Sequence, residues 1–359
     1  MGCQGLHLAL SSKVRKLTPR TPRSRPSIAS LAEPESTSRH FRGRLVHVVS
    51  VMNYKGGVGK TTLTANLGAE IANRGHKVLL LDLDPQANLT FSFYSVDEWQ
   101  SELRKERTIK RWYDGEMPGR NVPLAKLVVT PPRVNEFVQG SGGQLDLISS
   151  HLGLIDIDLL LAARLGGGTT LAESKRKYIQ LHSCLADGLS DPAFREYDLV
   201  LIDCAPNFGL VTKTAIVASN HVLMPAKADY LSTLGIDYLA GSCDKLVAEY
   251  NDYIDYNGAD NGGRQKISPR FLGVVFTMIQ TYAGRPIVTQ QNHIEQVRLN
   301  SEVPILNGVL RNSPRHFGDA GASGIPAMVR APMDDDVAVD FRRLTNEFVK
   351  AFTGHKDTA

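Results

Sequence analysis

Short, nearly continuous apolar runs alternate along this chain with longer segments in which apolar residues recur every three or four positions. The runs are Leu45 to Val51, Lys77 to Asp84, Leu145 to Ser149, Tyr197 to Asp203, His221 to Ala226, Phe271 to Met278 and Val303 to Leu310. Runs of this kind suit strands buried on both faces of a parallel sheet. Between the first two, Leu63, Leu67 and Ile71 share one helical stripe in a helix that begins at Thr62 and stops at Gly75. Leu152 to Arg164 reads as an apolar helix broken by Gly166-Gly167-Gly168, another helix starts near Thr233, and Tyr256 to Ser268 reads as a polar loop. Strands and helices in alternation predict an α/β fold with one doubly wound, mostly parallel sheet flanked by helices and no internal repeat. The strand-loop-helix-strand unit at 45–84 has to be a right-handed crossover.

Two segments are less regular. Residues 92–143 mix charged clusters, Glu102 to Lys110 above all, with Gly-Pro-rich breaks at Met117 to Arg120 and Pro131-Pro132. The charged cluster reads as a solvated helix face, and the segment also reads as a partner-specific elaboration. Near the end, Val337, Phe341, Leu344, Phe348 and Phe352 form an apolar helical stripe flanked by Arg342, Arg343 and Lys350. Such a helix either packs on the sheet or lies on a membrane surface; Asp340 and Glu347 dilute its basic face and favour packing.

Composition narrows the class. With 359 residues and 42% hydrophobic content the chain can bury a full core, and the pattern places one domain at 45–355. Residues 1–44 hold nine Lys or Arg against two Glu, while the remainder is slightly acidic. This Ser- and Pro-rich tail has no sustained apolar period and is expected to be disordered. Three readings of it stay open: an electrostatic tether to nucleic acid, a mitochondrial transit peptide, or translated sequence upstream of the true start. Met1-Gly2-Cys3 suggests acylation, but Leu6 stands where myristoylation wants Ser or Thr. No run reaches the roughly 18 apolar residues of a spanning helix, so a soluble protein is expected. Cys3, Cys184, Cys204 and Cys243 show no C-x-x-C spacing, which fits a reducing cytoplasm and offers no metal site.

The chemistry lies in Asn53-Tyr54-Lys55-Gly56-Gly57-Val58-Gly59-Lys60-Thr61-Thr62, between the first apolar run and the helix after it. Three glycines permit a tight loop with inward amide N–H groups, and the helix adds its positive end, which makes a cradle for phosphates. Gly56, Gly57, Val58, Gly59, Lys60, Thr61 and Thr62 are the nucleotide-binding candidates; Lys60 would reach the β- and γ-phosphates and the Thr61 hydroxyl would ligate Mg²⁺. The ordinary pattern places Gly five residues before its lysine, where this chain has Tyr54, and a second lysine, Lys55, precedes the double glycine. Asp203 closes a hydrophobic strand in the manner of a Walker B carboxylate, which holds the Mg²⁺ shell through water. Cys204, next to it, reads as a small buried residue.

The second lysine resembles the deviant Walker A loop of the ParA/MinD superfamily, P-loop ATPases that dimerise on ATP. The resemblance covers roughly 45–352 and comes closest to the Soj-type partition branch, because Asp84-Pro85-Gln86-Ala87-Asn88 resembles that branch's D-P-Q-x-N and Asp203-Cys204-Ala205-Pro206 its D-C-P-P, with Ala205 in place of a proline. It implies ATP and Mg²⁺ as cofactors, Asp84 as the residue that orients attacking water, and Lys55 as a catalytic group that crosses a homodimer interface to the partner's phosphates. Asp82, at the same face but deeper, reads as a structural partner. Pro225 to Asp229 resembles the loop that lines the dimer face.

By the same resemblance the ATP dimer binds DNA without reading sequence, and a ParB-like adaptor triggers hydrolysis in a cytoplasmic, nucleoid-associated setting. Arg285, Arg311 and Arg315, in loops after the last two strands, are the candidate phosphate contacts, though each alone also reads as a solvated surface arginine. Three functions stay open: plasmid or chromosome partition, positioning of a protein cargo or division component at a membrane or elsewhere, and a nucleotide-gated regulator.

Overall fold

The computed structural model describes residues 40–41, 44–115, 122–166, 168–318 and 323–353. The expectations for most of the basic tail, including Cys3 and the acylation site, for Met117 to Arg120 and for Gly167 lie outside the described residues.

Six of the apolar runs form one sheet: β1 (His47–Val51), β2 (Lys77–Leu83), β3 (Gln144–Ile148), β4 (Leu199–Cys204), β5 (His221–Lys227) and β6 (Arg270–Thr277). They lie in the order β3-β2-β4-β1-β5-β6 and every neighbouring pair is parallel. The helices are α1 (Lys60–Asn73), α2 (Ile109–Gly115), α3 (Pro132–Val138), α4 (Ile155–Leu165), α5 (Leu171–Gly188), α6 (Leu210–Ala218), α7 (Tyr230–Asn257), α8 (Val288–Asn300) and α9 (Asp336–Thr353), with shorter turns between them. α7 starts before Thr233 because Asp229 caps it, accepting from Ser232 N at 2.8 Å, and it ends at Asn257, two residues into the expected loop, the rest of which is a short turn and irregular chain up to β6.

Side chains of β2 sort by the two-residue strand period. Leu79, Leu81 and Leu83 pack into the layer formed with α2 and α4–α8, and Val78 and Leu80 into the layer formed with α1, α3 and α9. α1 is buried well beyond its Leu63-Leu67-Ile71 stripe, with Thr64, Ala65, Asn66, Ala69 and Ala72 also inside. At Gly68 a Cβ would stand 2.7 Å from Leu80 Cδ2, so this glycine lets the helix close on the sheet. Gly75, at φ 93°, follows the helix end.

Residues 92–143 contribute to the core. Trp99 and Trp112 are buried, the Trp99 indole donates to Ser150 O at 3.1 Å, and the buried Tyr113 hydroxyl meets Thr214 Oγ1 at 2.7 Å. The charged cluster is solvated as expected, but it sits on a π-helical turn, Trp99–Leu103, and the connection to α2, so it is not one helix face.

Val303 to Leu310 is not a strand. It runs beside β6 with a single bridge, Val274 to Ile305, and scattered backbone bonds. Pro304 has no N–H to give to a ladder, and Gly273 at φ 140° lies at a bulge in the facing strand just where Pro304 O approaches.

The stripe on α9 faces inward: Phe341, Leu344 and Phe348 are at most 1% exposed, which settles the choice in favour of packing. Arg342 and Arg74 converge on the buried Glu70 of α1 and fasten the helix at its flank. Among the described residues no helix is long and apolar enough to cross a membrane.

Phe348→Ala is expected to cost about 3–5 kcal/mol of unfolding free energy in urea titration; a loss below about 1 kcal/mol would mean the stripe is not in the core. Burial holds the His182 and His221 imidazoles down to about 4, below their ordinary 6.5. The unfolded chain therefore binds more protons between those values, and stability is full above pH 6.5 and falls as pH drops towards 4. Urea midpoints across that window should fall with pH, and less steeply in His221→Gln.

Candidate nucleotide site

The loop from Asn53 to Gly59 leaves the C-terminal end of β1, at the middle of the parallel sheet, where open α/β sheets bind ligands. Gly57 (φ 66°) and Gly59 (φ 79°) take left-handed backbone that a side chain would strain. Gly59 caps α1, its carbonyl accepting from Leu63 N at 2.9 Å, which is why the helix begins at Lys60 and not at Thr62. Neighbouring strands clamp the loop. Asn53 Nδ2 donates to Pro225 O of β5 at 2.8 Å, and the Thr277 hydroxyl of β6 donates to Val58 O at 2.6 Å.

Inside the loop the groups expected to act are together. Lys60 is 6% exposed, and its ammonium donates to the Asn53 and Lys55 carbonyls, each at 3.3 Å. The Thr61 hydroxyl donates to Asp203 Oδ2 at 2.7 Å. Asp84 is buried at the end of β2, its Oδ1 accepting from Gln86 N at 2.9 Å and its carbonyl from the Ser150 hydroxyl at 2.6 Å. Asp82 plays the structural part expected of it. One oxygen accepts from Asp84 N, the other from the Thr90 N–H and hydroxyl.

Desolvation dominates the electrostatics. Burial pushes Asp82 up to about 7 against the hydrogen bonds from Thr90. It raises Asp203 well above the carboxylate range, and Asp82, its register partner across β2 and β4, adds to the rise. Lys60 is lowered by burial and partly restored by Asp203 and Asp84. Cys204 is fully buried, its thiol raised by desolvation, as a packing residue would be.

These residues fit a magnesium–nucleotide. Asp203 Oδ1 is buried with no hydrogen-bond partner, beside a hydroxyl and a second carboxylate, and hard oxygen donors of this kind suit Mg²⁺. A Cβ at Gly56 or Gly57 would meet nothing within 4 Å, so the loop backbone is uncovered there. Thr61 and Asp203 would hold the ion, and Lys60 with the loop amides would hold the phosphates.

Lys55 points elsewhere. Its ammonium donates to both oxygens of Asp229 at 2.9 Å and to Ser232 Oγ at 3.0 Å, and the pair is half-exposed. Tyr54 packs against Phe208 and Tyr238, with ring centroids 5.9 and 5.4 Å apart. Sequence reasoning did not assign Thr277, Asn53 or Ser232 a role. Thr277 and Ser232 come from elements more than 170 positions away, and no local pattern marks them.

The three arginines are dispersed. Arg285 is exposed in a two-residue strand opposite Tyr282, and Arg315 is exposed in the turn Pro314–Phe317. Arg311 is largely covered and ion-paired with Asp340 of α9.

A glycine loop, a buried lysine, a helix-start hydroxyl and strand-end carboxylates at the C-terminal ends of central parallel strands define a P-loop nucleotide hydrolase, here in the deviant two-lysine form. Residues 46–256 match the AAA_31 family, described as an AAA domain. Among relatives, an uncharacterized protein of Mycobacterium tuberculosis is 29% identical over 94% of this chain and 86% of its own. The chromosome-partitioning ATPase Soj of Thermus thermophilus is 30% identical over 68% of this chain and 74% of its own. The cell division protein PomZ of Myxococcus xanthus is 28% identical over 62% and 60%. Of solved structures, apo McdA of Cyanothece superposes with a TM-score of 0.60 at 19% identity, over 84% of this chain and 99% of that one. Cobyrinic acid a,c-diamide synthase of Mycobacterium smegmatis, bound to ADP and magnesium, gives 0.57 at 20%, over 86% and 96%. The chain belongs to this family, the ParA/MinD superfamily of ATPases.

Because the Lys55–Asp229 pair is half-exposed, it is expected to contribute little stability. Asp229→Asn, which keeps the cap on α7, should cost at most about 1 kcal/mol in urea titration, whereas Asp229→Ala should lose about 1 kcal/mol more with the cap. Equal costs would place the stability in the ion pair.

Proposed function

We propose that this chain is a Soj-like partition ATPase: two copies pair over two ATP molecules, the pair binds DNA without reading sequence, and hydrolysis, stimulated by a ParB-like adaptor, parts them. The observation that carries this reading is the setting of Lys55. Its ammonium lies at the surface on a weak ion pair, and beside it the start of α7 exposes Tyr230, Leu231, Leu234 and Tyr238, each at least 56% accessible. A surface cation ringed by exposed apolar side chains suits a contact between copies in which Lys55 leaves Asp229 for the partner's phosphates.

Bound Mg²⁺–ATP would supply the transferable phosphoryl group and the charge that balances the buried acids. The chain's own groups do the rest. Thr61 and Asp203 would hold the ion, Lys60 would hold the phosphates, and Asp84, fixed by Gln86 N–H, would keep a carboxylate oxygen available to orient water. Catalysis then consists mainly of placement and charge neutralisation.

A second reading, positioning of a protein cargo, is favoured by one finding. Arg311 is engaged by Asp340, which leaves Arg285 and Arg315 as the exposed phosphate contacts. The burial of the α9 stripe removes the support for a membrane version of that reading.

With ATP and Mg²⁺, Asp84→Ala should remain a dimer by light scattering while phosphate release falls by roughly a hundredfold or more. Persistent monomer under those conditions would end the proposal. Binding to non-specific duplex across a salt series decides between the two readings: partition predicts a log–log slope weakened by roughly one for each arginine removed at 285 or 315, and cargo positioning predicts no duplex affinity.

A further inference from the structure

Away from Lys55, the segment that follows β3 leaves a second apolar face without a partner among the described residues. Leu152 (55% exposed), Ile155 (68%) and Leu159 (76%) are open to solvent, and Ala162 and Ala163 continue the line towards the end of α4. Ile155, Leu159, Ala162 and Ala163 fall within about 100° of the helix circumference, the width of one helical contact stripe. The opposite side of α4, Ile157 and Leu161, is in the core, so the helix is anchored and its outer stripe is left over.

The head of this stripe carries positive charge. Residues 102–111 hold five basic side chains against two acidic ones. Lys110 lies along Gly153, where a Cβ would be 2.9 Å from its Cε, and Arg104 lies over the Trp99 ring, which contacts His151. Burial lowers the His151 imidazole, and Lys110 and Arg104 lower it further, so both charges reach the start of the stripe. Lys110 pairs with Asp114 and Arg111 with Glu106, but Arg104, Lys105 and Arg107 are exposed with no ion pair among the described residues.

We propose that this stripe, with the Arg104 and Lys110 charges at its head and Lys105 and Arg107 exposed in the same segment, is a docking site for an acidic amphipathic helix of a partner protein. Charge selects the occupant. A second copy of the chain meeting here about a two-fold axis would bring one basic segment against another. A lipid surface would need a broader apolar face than a stripe of about 100°. A helix with leucines at i, i+3, i+4 and i+7 and glutamates on its flanks matches both the width and the sign.

The test uses the full chain and an 18-residue labelled helical peptide with a leucine stripe and flanking glutamates, read by fluorescence anisotropy. Binding is expected without nucleotide and should weaken at least about tenfold when the glutamates are replaced by glutamine. It should weaken comparably in Ile155→Ser/Leu159→Ser and, independently, in Arg104→Glu/Arg107→Glu, with circular dichroism unchanged. If the serine pair does not fold, the charge-reversal pair decides alone. Equal binding of the two peptides, or insensitivity to the substitutions, overturns the proposal. So does co-sedimentation with phosphatidylglycerol vesicles that the same substitutions abolish, which would make the site a lipid surface. Loss of ATP-driven pairing in Leu159→Ser would assign the stripe to contact between copies and would likewise overturn it, whereas failure of peptide binding alone leaves the ATPase reading untouched.

Discussion

The site depends on a charge balance assembled out of water. Asp82 and Asp203 stand in register on adjacent strands with essentially no exposure, and Lys60 reaches in above them. Taking carboxylates and an ammonium from water is costly, which is why burial moves all three groups towards their neutral forms. A divalent cation and a polyphosphate reverse that tendency together, one neutralising the acids and the other the lysine. The empty valence of Asp203 Oδ1 and the hydroxyl of Thr61 beside it are the local marks of that requirement.

The two lysines of the loop illustrate how burial divides one residue type into two roles. Lys60 is 6% exposed and folded back on loop carbonyls, so it belongs to the site of its own chain. Lys55, five positions earlier, stands at the surface in a bidentate contact with Asp229 that is solvated and therefore readily exchanged. Asp229 also caps α7, so the acid that holds Lys55 belongs to the helix whose exposed apolar face lies alongside.

The elaboration between β2 and β3 is structural on one side and open on the other. Trp99, Trp112 and Tyr113 bind it into the core, while Arg104, Lys105 and Arg107 remain in solvent, Arg104 within reach of the start of the exposed α4 stripe. The opposite holds on α9, where the middle of a stripe of similar period is buried and Arg311, a candidate for an external contact, is taken up by Asp340.

The apolar runs, the glycine loop and the strand-end acids were legible because each is local. Strand burial on both faces erases alternation, left-handed turns require glycine, and a phosphate cradle needs contiguous residues. Asp84, Asp203, Lys60 and Thr61 could thus be put forward as candidates from spacing and resemblance. Where spacing was ambiguous, tertiary structure decided. Val303 to Leu310 has a strand's composition but faces a bulged strand and carries Pro304, and the α9 stripe has a membrane helix's period but a core waiting for it. Thr277 and Ser232 had no signature at all, and the loop ending at Asp229 was marked without its pairing to Lys55, because hydrogen bonds between positions more than 170 apart are made by the fold and leave no trace in the local order of residues.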